Sequence, residues 1–163
     1  MKKALFLMMI VFGAAAFTSC SDDDDNTNLA KEIAGTYYGN TVAGFGYATY
    51  NYEGDTLTVT ANGDGTANVI FTNSANDLVT EGAPYKLGFG TYTDMNMTVT
   101  KTADGTYTMV GKDSVAIGMP GVSGARNYPY DSQYTVSDGK VTAKYTLAIM
   151  GGTTVTFTST SKK

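Results

Sequence analysis

The sequence has no histidine, no tryptophan and a single cysteine among its 163 residues. A zinc finger, a Ser-His-Asp triad and a Cys-His dyad are all excluded, because each requires histidine or several cysteines. Charged residues make up 16% of the chain, against roughly 25% in an average domain. We therefore predict no metal site, no cofactor and no catalytic residue. The formal charge of −4 argues against nucleic acid as a partner.

Glycine, tyrosine and threonine are abundant instead, with 19, 12 and 26 residues. From Ile33 onward, apolar and polar residues alternate with a period of two, which is typical of strands with one buried face. No stretch sustains the 3.6-residue period of an amphipathic helix. The composition and the period together predict an all-β protein with many turns.

The first residues have the layout of an export signal. Lys2 and Lys3 precede an apolar run, residues 4–17, that is too short to span a bilayer as a stable helix. Small residues follow the run, as they do at a cleavage point. These features predict that the segment directs the chain out of the cytoplasm.

The only cysteine lies where this segment ends. Thr18-Ser19-Cys20 resembles the lipobox of bacterial lipoproteins, with Phe17 in place of the usual Leu. The resemblance implies that residues 1–19 are a lipoprotein signal peptide and that Cys20 becomes the acylated N-terminus, carrying fatty acyl chains such as palmitate. The membrane is then a partner through the lipid anchor. An uncleaved anchor helix, or cleavage that leaves a free thiol, are the alternatives.

An acidic run, Asp22 to Asp25, follows the cysteine, and the next apolar residue is Leu29. Like charges repel and nothing here can be buried, so we predict a flexible tether over residues 20–31 and a folded domain over residues 32–163. Such a run also resembles the signal that sends some Gram-negative lipoproteins to the outer face of the outer membrane. We predict a surface-exposed outer membrane lipoprotein; a plain spacer and a periplasm-facing protein are the alternatives.

Three similar hairpins are visible in the folded domain. Asn62-Gly63-Asp64-Gly65, Asp104-Gly105 and Asp138-Gly139 each separate two alternating runs, which is a strong hairpin signal. Together with the Gly151-Gly152 turn, they predict an antiparallel meander of about eight to ten strands that closes into a barrel. Glu53-Gly54-Asp55 is interpreted as a further turn.

Two connections are long, from residue 73 to 84 and from residue 118 to 131. Loops of this length in a compact domain are often functional. The second one contains Arg126, the only arginine of the chain, close to Tyr128 and Tyr130, and Tyr47 and Tyr50 follow an earlier Gly-Phe-Gly. Aromatic rings beside a guanidinium suit sugars, carboxylates and protein partners. These five residues are the candidate ligand-binding residues, and the alternative is that the tyrosines fill the barrel ends.

The order of these motifs resembles the calycin-like β-barrel domain of Gram-negative lipoproteins. The resemblance rests on Gly35-Thr36-Tyr37 opening the first strand, the Asp-Gly hairpins, and a last strand pair ending in Gly151-Gly152-x-x-Val155-x-Phe157. Gly35-Thr36-Tyr37 is also similar to the Gly-x-Trp of lipocalins, where a late-strand Arg packs on the Trp. Because Arg126 is predicted to lie in a loop, that packing pair is not expected here.

Three functions are compatible with these features. The first is non-enzymatic binding of a small apolar or glycan ligand at the barrel mouth. The second is a structural or adhesion module, in which a filled barrel contacts another envelope protein through its loops or an open sheet edge. The third, an enzyme, would need two facing carboxylates in a cleft, and we do not predict it.

Overall fold

A computed structural model describes residues 28–46, 48–73, 88–118, 125–149 and 152–163. The described residues form one short helix and nine strands. In chain order these are α1 Leu29–Ile33, β1 Gly35–Phe45, β2 Ala48–Ala61, β3 Thr66–Thr72, β4 Thr91–Thr98, β5 Thr100–Lys101, β6 Tyr107–Gly118, β7 Ala125–Ser137, β8 Lys140–Leu147 and β9 Thr153–Lys162.

The strands form one antiparallel sheet in the order β4-β3-β2-β1-β9-β8-β7-β6-β5. The first and last strands pair with each other, and β4 lies beside β6, so the sheet curls into a nearly closed barrel. Among the described residues β4 and β6 share no hydrogen-bonded ladder. The predicted all-β meander is confirmed, since the period-two pattern places every second side chain of a strand such as β8 in the interior.

The two ends of the barrel differ. One end, called the helix end below, carries α1 and the turns at residues 62–65, 102–106 and 138–139. These are the three predicted Asp-Gly turns; Asp138 and Gly139 have φ values of 51° and 71°, as a two-residue hairpin of type I′ requires. At the opposite end, called the far end, β1 leads to β2, β3 to β4, β6 to β7, and β8 to β9.

Helix α1 packs against the helix end. Ile33 is buried, and its carbonyl oxygen accepts a 2.6 Å hydrogen bond from Tyr37 Oη. Glu32 forms a 3.0 Å ion pair with Lys101 and accepts a hydrogen bond from Tyr107 Oη. One buried side chain and one polar cluster therefore fix the helix to strands β1, β5 and β6.

The interior is filled with aromatic side chains. The ring of Tyr145 lies 4.2 Å from that of Tyr92 and 5.2 Å from that of Phe71, measured between centroids, and Phe71 lies 5.5 Å from Phe157. All four side chains have zero exposed surface. A small barrel can be filled by its own side chains, and these four rings pack against one another with no exposed surface.

The predicted turn at Glu53-Gly54-Asp55 is wrong. These residues form a β-bulge inside β2, because Gly39 pairs with Asp55 while Asn40 pairs with Glu53, which leaves Gly54 unpaired. Gly54 has a φ of 77°. A glycine with positive φ gives the same sequence signal in a turn and in a bulge, so the pattern did not distinguish them.

The predicted loop over residues 118–131 is also wrong. Strand β6 continues to Gly118, and β7 begins at Ala125 and pairs with it. Pro129 lies inside β7, at a position where β7 has no β8 partner, because the ladder with β8 begins at Tyr130. A proline is tolerated in a strand with a free edge. The other predicted connection lies almost entirely outside the described residues, which include only Asn73 of it.

Candidate functional site

Strands β6 and β7 extend past β8 at the far end. The β7–β8 ladder stops at the pair Tyr130–Leu147, whereas the β6–β7 ladder continues to Gly118–Ala125. The five residues beyond Tyr130 are bonded only to β6, and at about 3.4 Å per residue they extend the ribbon by roughly 17 Å. We call residues 113–118 and 125–130 the far-end ribbon.

Three of the predicted binding residues lie on one face of this ribbon. Arg126, Tyr128 and Tyr130 occupy alternate positions of β7, on the face that continues inward to Tyr134. Arg126 is exposed and makes no hydrogen bond or ion pair with any described residue. Tyr128 is half-buried against the core. These two side chains are therefore accessible to a partner.

Tyr130 belongs to the core instead. Its side chain is 3% exposed, its hydroxyl donates to the carbonyl of Thr93 at 3.2 Å, and its ring lies 5.0 Å from that of Tyr92. Burial raises the pKa of the phenol far above its usual value, so the hydroxyl stays neutral. Tyr130 therefore fits the alternative interpretation, in which the tyrosines fill the barrel, and not the interpretation as a ligand-binding residue.

The other two predicted tyrosines do not join the ribbon. Tyr50 is half-buried, with its ring 6.5 Å from that of Phe89. It lies on β2, which three strands separate from β7 in either direction round the barrel, so the two are on opposite walls. Tyr47 and the predicted lipidation site Cys20 lie outside the described residues.

A buried carboxylate links β4 to β7. Asp94 is 3% exposed and accepts hydrogen bonds from Ser132 Oγ at 2.8 Å and from Tyr134 Oη. A Cβ on Gly111 of β6 would lie 2.6 Å from Asp94 Oδ1, so only glycine leaves space for the carboxylate to pass. Burial, followed by the nearby Asp94 charge, raises the pKa of Tyr134 and keeps it a donor. Asp94 therefore closes the barrel where β4 and β6 lack a ladder.

A second buried carboxylate stabilises β2. Asp55 has zero exposed surface and accepts hydrogen bonds from Thr41 Oγ1 and, at 2.7 Å, from Asn73 Nδ2. Its neighbour Gly54 forms the bulge, which turns the aspartate inward. Neither Asp55 nor Asp94 was predicted to be buried. The sequence did contain a clue to the burial of Asp94. It is a charged residue two positions after Tyr92, so in a strand the two side chains lie on the same, inward face.

Two clefts lie on the described surface. One, of about 700 Å³, is an open groove near the far end. The other, of about 460 Å³, follows the gap between β4 and β6, beside a bulge in β4 where Asn96 has a φ of 54°. The groove is lined by Lys112, Asp113, Pro129, Tyr130, Asp131, Thr146, Leu147, Ala148 and Gly152. Of the predicted residues it includes only Tyr130.

A cation packs on the first aromatic residue of β1. Lys162 Nζ of β9 lies 5.1 Å from the ring centroid of Tyr37, which is completely buried. No late-strand Arg was expected to pack on Tyr37, and Lys162 of the last strand packs there instead. The one feature of the sequence that could have identified this lysine is its position at the end of the last strand, which pairs with β1.

No helix in the described part of the chain is long and apolar enough to cross a membrane. Nor do the described ranges bring together three His, Cys, Asp or Glu side chains that could hold a metal ion.

No protein-family model matches the chain, and no curated protein is significantly similar to it. The crystal structure of a "putative outer membrane protein" from Bacteroides fragilis NCTC 9343 matches with a TM-score of 0.59 and 20% sequence identity. The match covers 83% of this chain and 53% of the Bacteroides chain, so this chain spans about half of that protein's length. At this identity the match shows a shared barrel fold.

Proposed function

We propose that the protein is a lipid-anchored module of the cell envelope, in which a filled β-barrel holds its far end toward another envelope protein. The observation that carries this proposal is the filled interior, in which Tyr145, Tyr92 and Phe71 pack in mutual contact with no exposed surface. Because a barrel without a cavity cannot enclose a ligand, its function lies on its outer surface.

The position of the helix supports the orientation of the module. The described chain begins at Asn28, and the side-chain amide of Asn28 donates to the carbonyl of Asn62, in a turn of the helix end, at 2.9 Å. The proposed anchor Cys20 precedes it by eight residues, which reach at most about 28 Å when fully extended. The helix end therefore lies near the membrane, and the far end points away from it.

The calycin-like assignment belongs to this proposal. It is supported by the meander barrel and by the aromatic–cation pair between Tyr37 and Lys162, in the place where lipocalins use Trp and Arg. The Bacteroides protein that shares the fold bears an outer membrane description, and this agrees with the envelope location that residues 1–20 predict.

We propose binding without chemistry. The two buried carboxylates, Asp55 and Asp94, both act as acceptors of hydrogen bonds inside the barrel. Asp94 also lines the cleft of about 460 Å³, whereas Asp55 does not. An acid–base pair needs two carboxyl groups facing one cleft.

A second candidate function is binding of a small glycan in the groove of about 700 Å³. The observation that favours it is the combination of the exposed apolar ring of Pro129 with the exposed ion pair of Lys112 and Asp131 at 2.8 Å. Sites for small ligands commonly combine an apolar surface with a few polar groups. Native mass spectrometry with neutral oligosaccharides tests this candidate, which a Lys112→Ala variant with unchanged affinity would contradict.

In-cell photo-cross-linking tests the main proposal. A photoreactive residue is placed in the full chain at Asn127 on the far-end ribbon, at Val110 on the outer wall, or at Lys140 at the helix end, all of which are exposed. We expect a discrete adduct with an envelope protein from position 127 and none from position 140. Adducts from Lys140 or Val110 alone would contradict the proposed far-end contact.

A further inference from the structure

We propose that Arg126 and Tyr128 form the contact point of the far end and that they bind an acidic polypeptide segment of the partner. The proposal rests on the function proposed above and adds the chemistry of the partner. A carboxylate of that segment pairs with the Arg126 guanidinium, and an adjacent apolar part covers the Tyr128 ring.

The charge of Arg126 has no partner within the described part of the chain. Arg126 forms no ion pair with a described residue, as is also true of lysines such as Lys140 and Lys144, but it is the only arginine of the chain. From Leu29 onward the chain has 11 acidic and 9 basic residues, so an unpaired guanidinium is displayed on a slightly acidic protein. Its planar fork matches a carboxylate with two parallel hydrogen bonds.

The backbone beneath these two side chains is held firmly. Arg126 pairs with Ile117 and Tyr128 pairs with Val115 across the ribbon, and both partners on β6 are buried, with 2% and 1% exposure. Residues that are held before binding lose less conformational freedom when the partner arrives. The ribbon therefore presents on an ordered backbone an Arg and a Tyr, the side chains that most often dominate the affinity of protein interfaces.

The shape of the site favours a protein partner over a small ligand. Arg126 and Tyr128 lie on the inner face of the ribbon, on the same face as the buried Ile117 and Val115. Sites for small molecules are concave, and neither of the two clefts described above includes Arg126 or Tyr128. A partner must therefore bring its own surface to these side chains, as an acidic segment of a protein does.

The test uses the full lipidated chain in detergent micelles and two labelled peptides, one alternating Glu with Gly and the other alternating Gln with Gly. Fluorescence anisotropy measures binding. We expect saturable binding of the Glu peptide only, about tenfold weaker in Arg126→Gln and in Tyr128→Ala, and preserved in Tyr128→Phe. Lys144→Gln is the matched control, because it removes one exposed positive charge from the outer wall and should leave the affinity unchanged.

Three results would overturn the inference: equal binding of the two peptides, an equal loss in Lys144→Gln and Arg126→Gln, or tighter binding of an oligogalacturonide than of the Glu peptide. The last result would assign the site to an acidic glycan. If Arg126→Gln also leaves the in-cell adduct from position 127 intact, the inference of an acidic segment is wrong, while the proposed contact at the far end is retained. If the adduct is absent in the native chain, the proposed function itself fails.

Discussion

Lys162 Nζ lies over the ring of Tyr37 at 5.1 Å, so the last strand of the barrel is joined to the first by a cation–aromatic contact at the helix end. The lysine stem passes over Gly35, where a Cβ would lie 2.7 Å from Lys162 Cε. Gly35 has a φ of 145°, a backbone conformation that favours glycine. The hydroxyl of Tyr37 in turn donates a hydrogen bond to the carbonyl of Ile33 in α1. The contact therefore helps to hold the helix on this end of the barrel.

The contact predicts a small, specific loss of stability. Lys162→Met keeps the apolar stem and removes the charge, and we expect the free energy of unfolding to fall by about 0.5–1 kcal/mol. Urea unfolding followed by tyrosine fluorescence measures it. Lys140→Met, at an exposed position in the same barrel end, is the control and should have no effect.

Two buried tyrosines should respond to loss of the hydroxyl in opposite ways. Tyr92 Oη has no hydrogen-bond partner within the described ranges, whereas Tyr134 Oη donates to Asp94. Removing an unpartnered buried hydroxyl relieves a desolvation cost, so Tyr92→Phe should raise stability by up to about 1 kcal/mol, and Tyr134→Phe should lower it by about 1–3 kcal/mol. Thermal unfolding of both variants checks this; the same sign for both would contradict the arrangement at Asp94.

The passage of Asp94 over Gly111 predicts a difference between two glycines of one strand. A Cβ at Gly111 would lie 2.6 Å from Asp94 Oδ1 and 2.7 Å from Ser132 Oγ, whereas a Cβ at Gly118 has no atom within 4 Å. Gly111→Ala should therefore cost about 1–3 kcal/mol, and Gly118→Ala should be neutral or slightly stabilising. Denaturant midpoints compare the two; equal values would show that the carboxylate does not occupy this space.

The cluster under α1 predicts a dependence of stability on pH. The hydrogen bond from Tyr107, and then that from Lys101, hold the pKa of Glu32 below its usual value of 4.5. A depressed pKa in the folded state means that this contribution is complete above pH 4.5 and is lost as the pH falls through the lower, folded value. The stability lost between pH 7 and pH 3 should therefore be smaller in Glu32→Gln. An unchanged loss would contradict the cluster.

The acidic run of the tether predicts the location of the protein. Replacing Asp22 to Asp25 with Ala should abolish removal of the protein by protease added to intact cells, while the amount in the membrane fraction stays constant. Cys20→Ser is the control that should release the protein from the membrane. If the alanine variant is still removed by protease, the run is a spacer.

Much of the fold could be predicted because its signals are local. Alternation predicted the strands, and pairs such as Asp138-Gly139 predicted the turns at the helix end. The errors came from residues whose local signal has two structural causes. Gly54 suits a turn and a bulge equally, and Pro129 suits a loop and a strand with a free edge.

The candidate site was less predictable, because it depends on which neighbours each side chain meets. Arg126, Tyr128 and Tyr130 were singled out together, but the register of β7 against β8 places Tyr130 in the core and leaves the other two beyond it. Register over long sequence separations is not encoded in any single segment. For the same reason the pairing of Tyr37 with Lys162 could not be read from either residue alone.

The central claim is that the barrel is filled and works through its outer surface, and titration with a fluorescent apolar fatty acid tests it most directly. Parinaric acid is added to the full chain in detergent below and above the concentration that saturates a typical ligand-binding barrel. We predict no saturable fluorescence increase beyond that of detergent alone, because Tyr145, Phe71 and Phe157 occupy the interior. Saturable binding of one molecule per chain, displaced by an unlabelled fatty acid, would contradict the account.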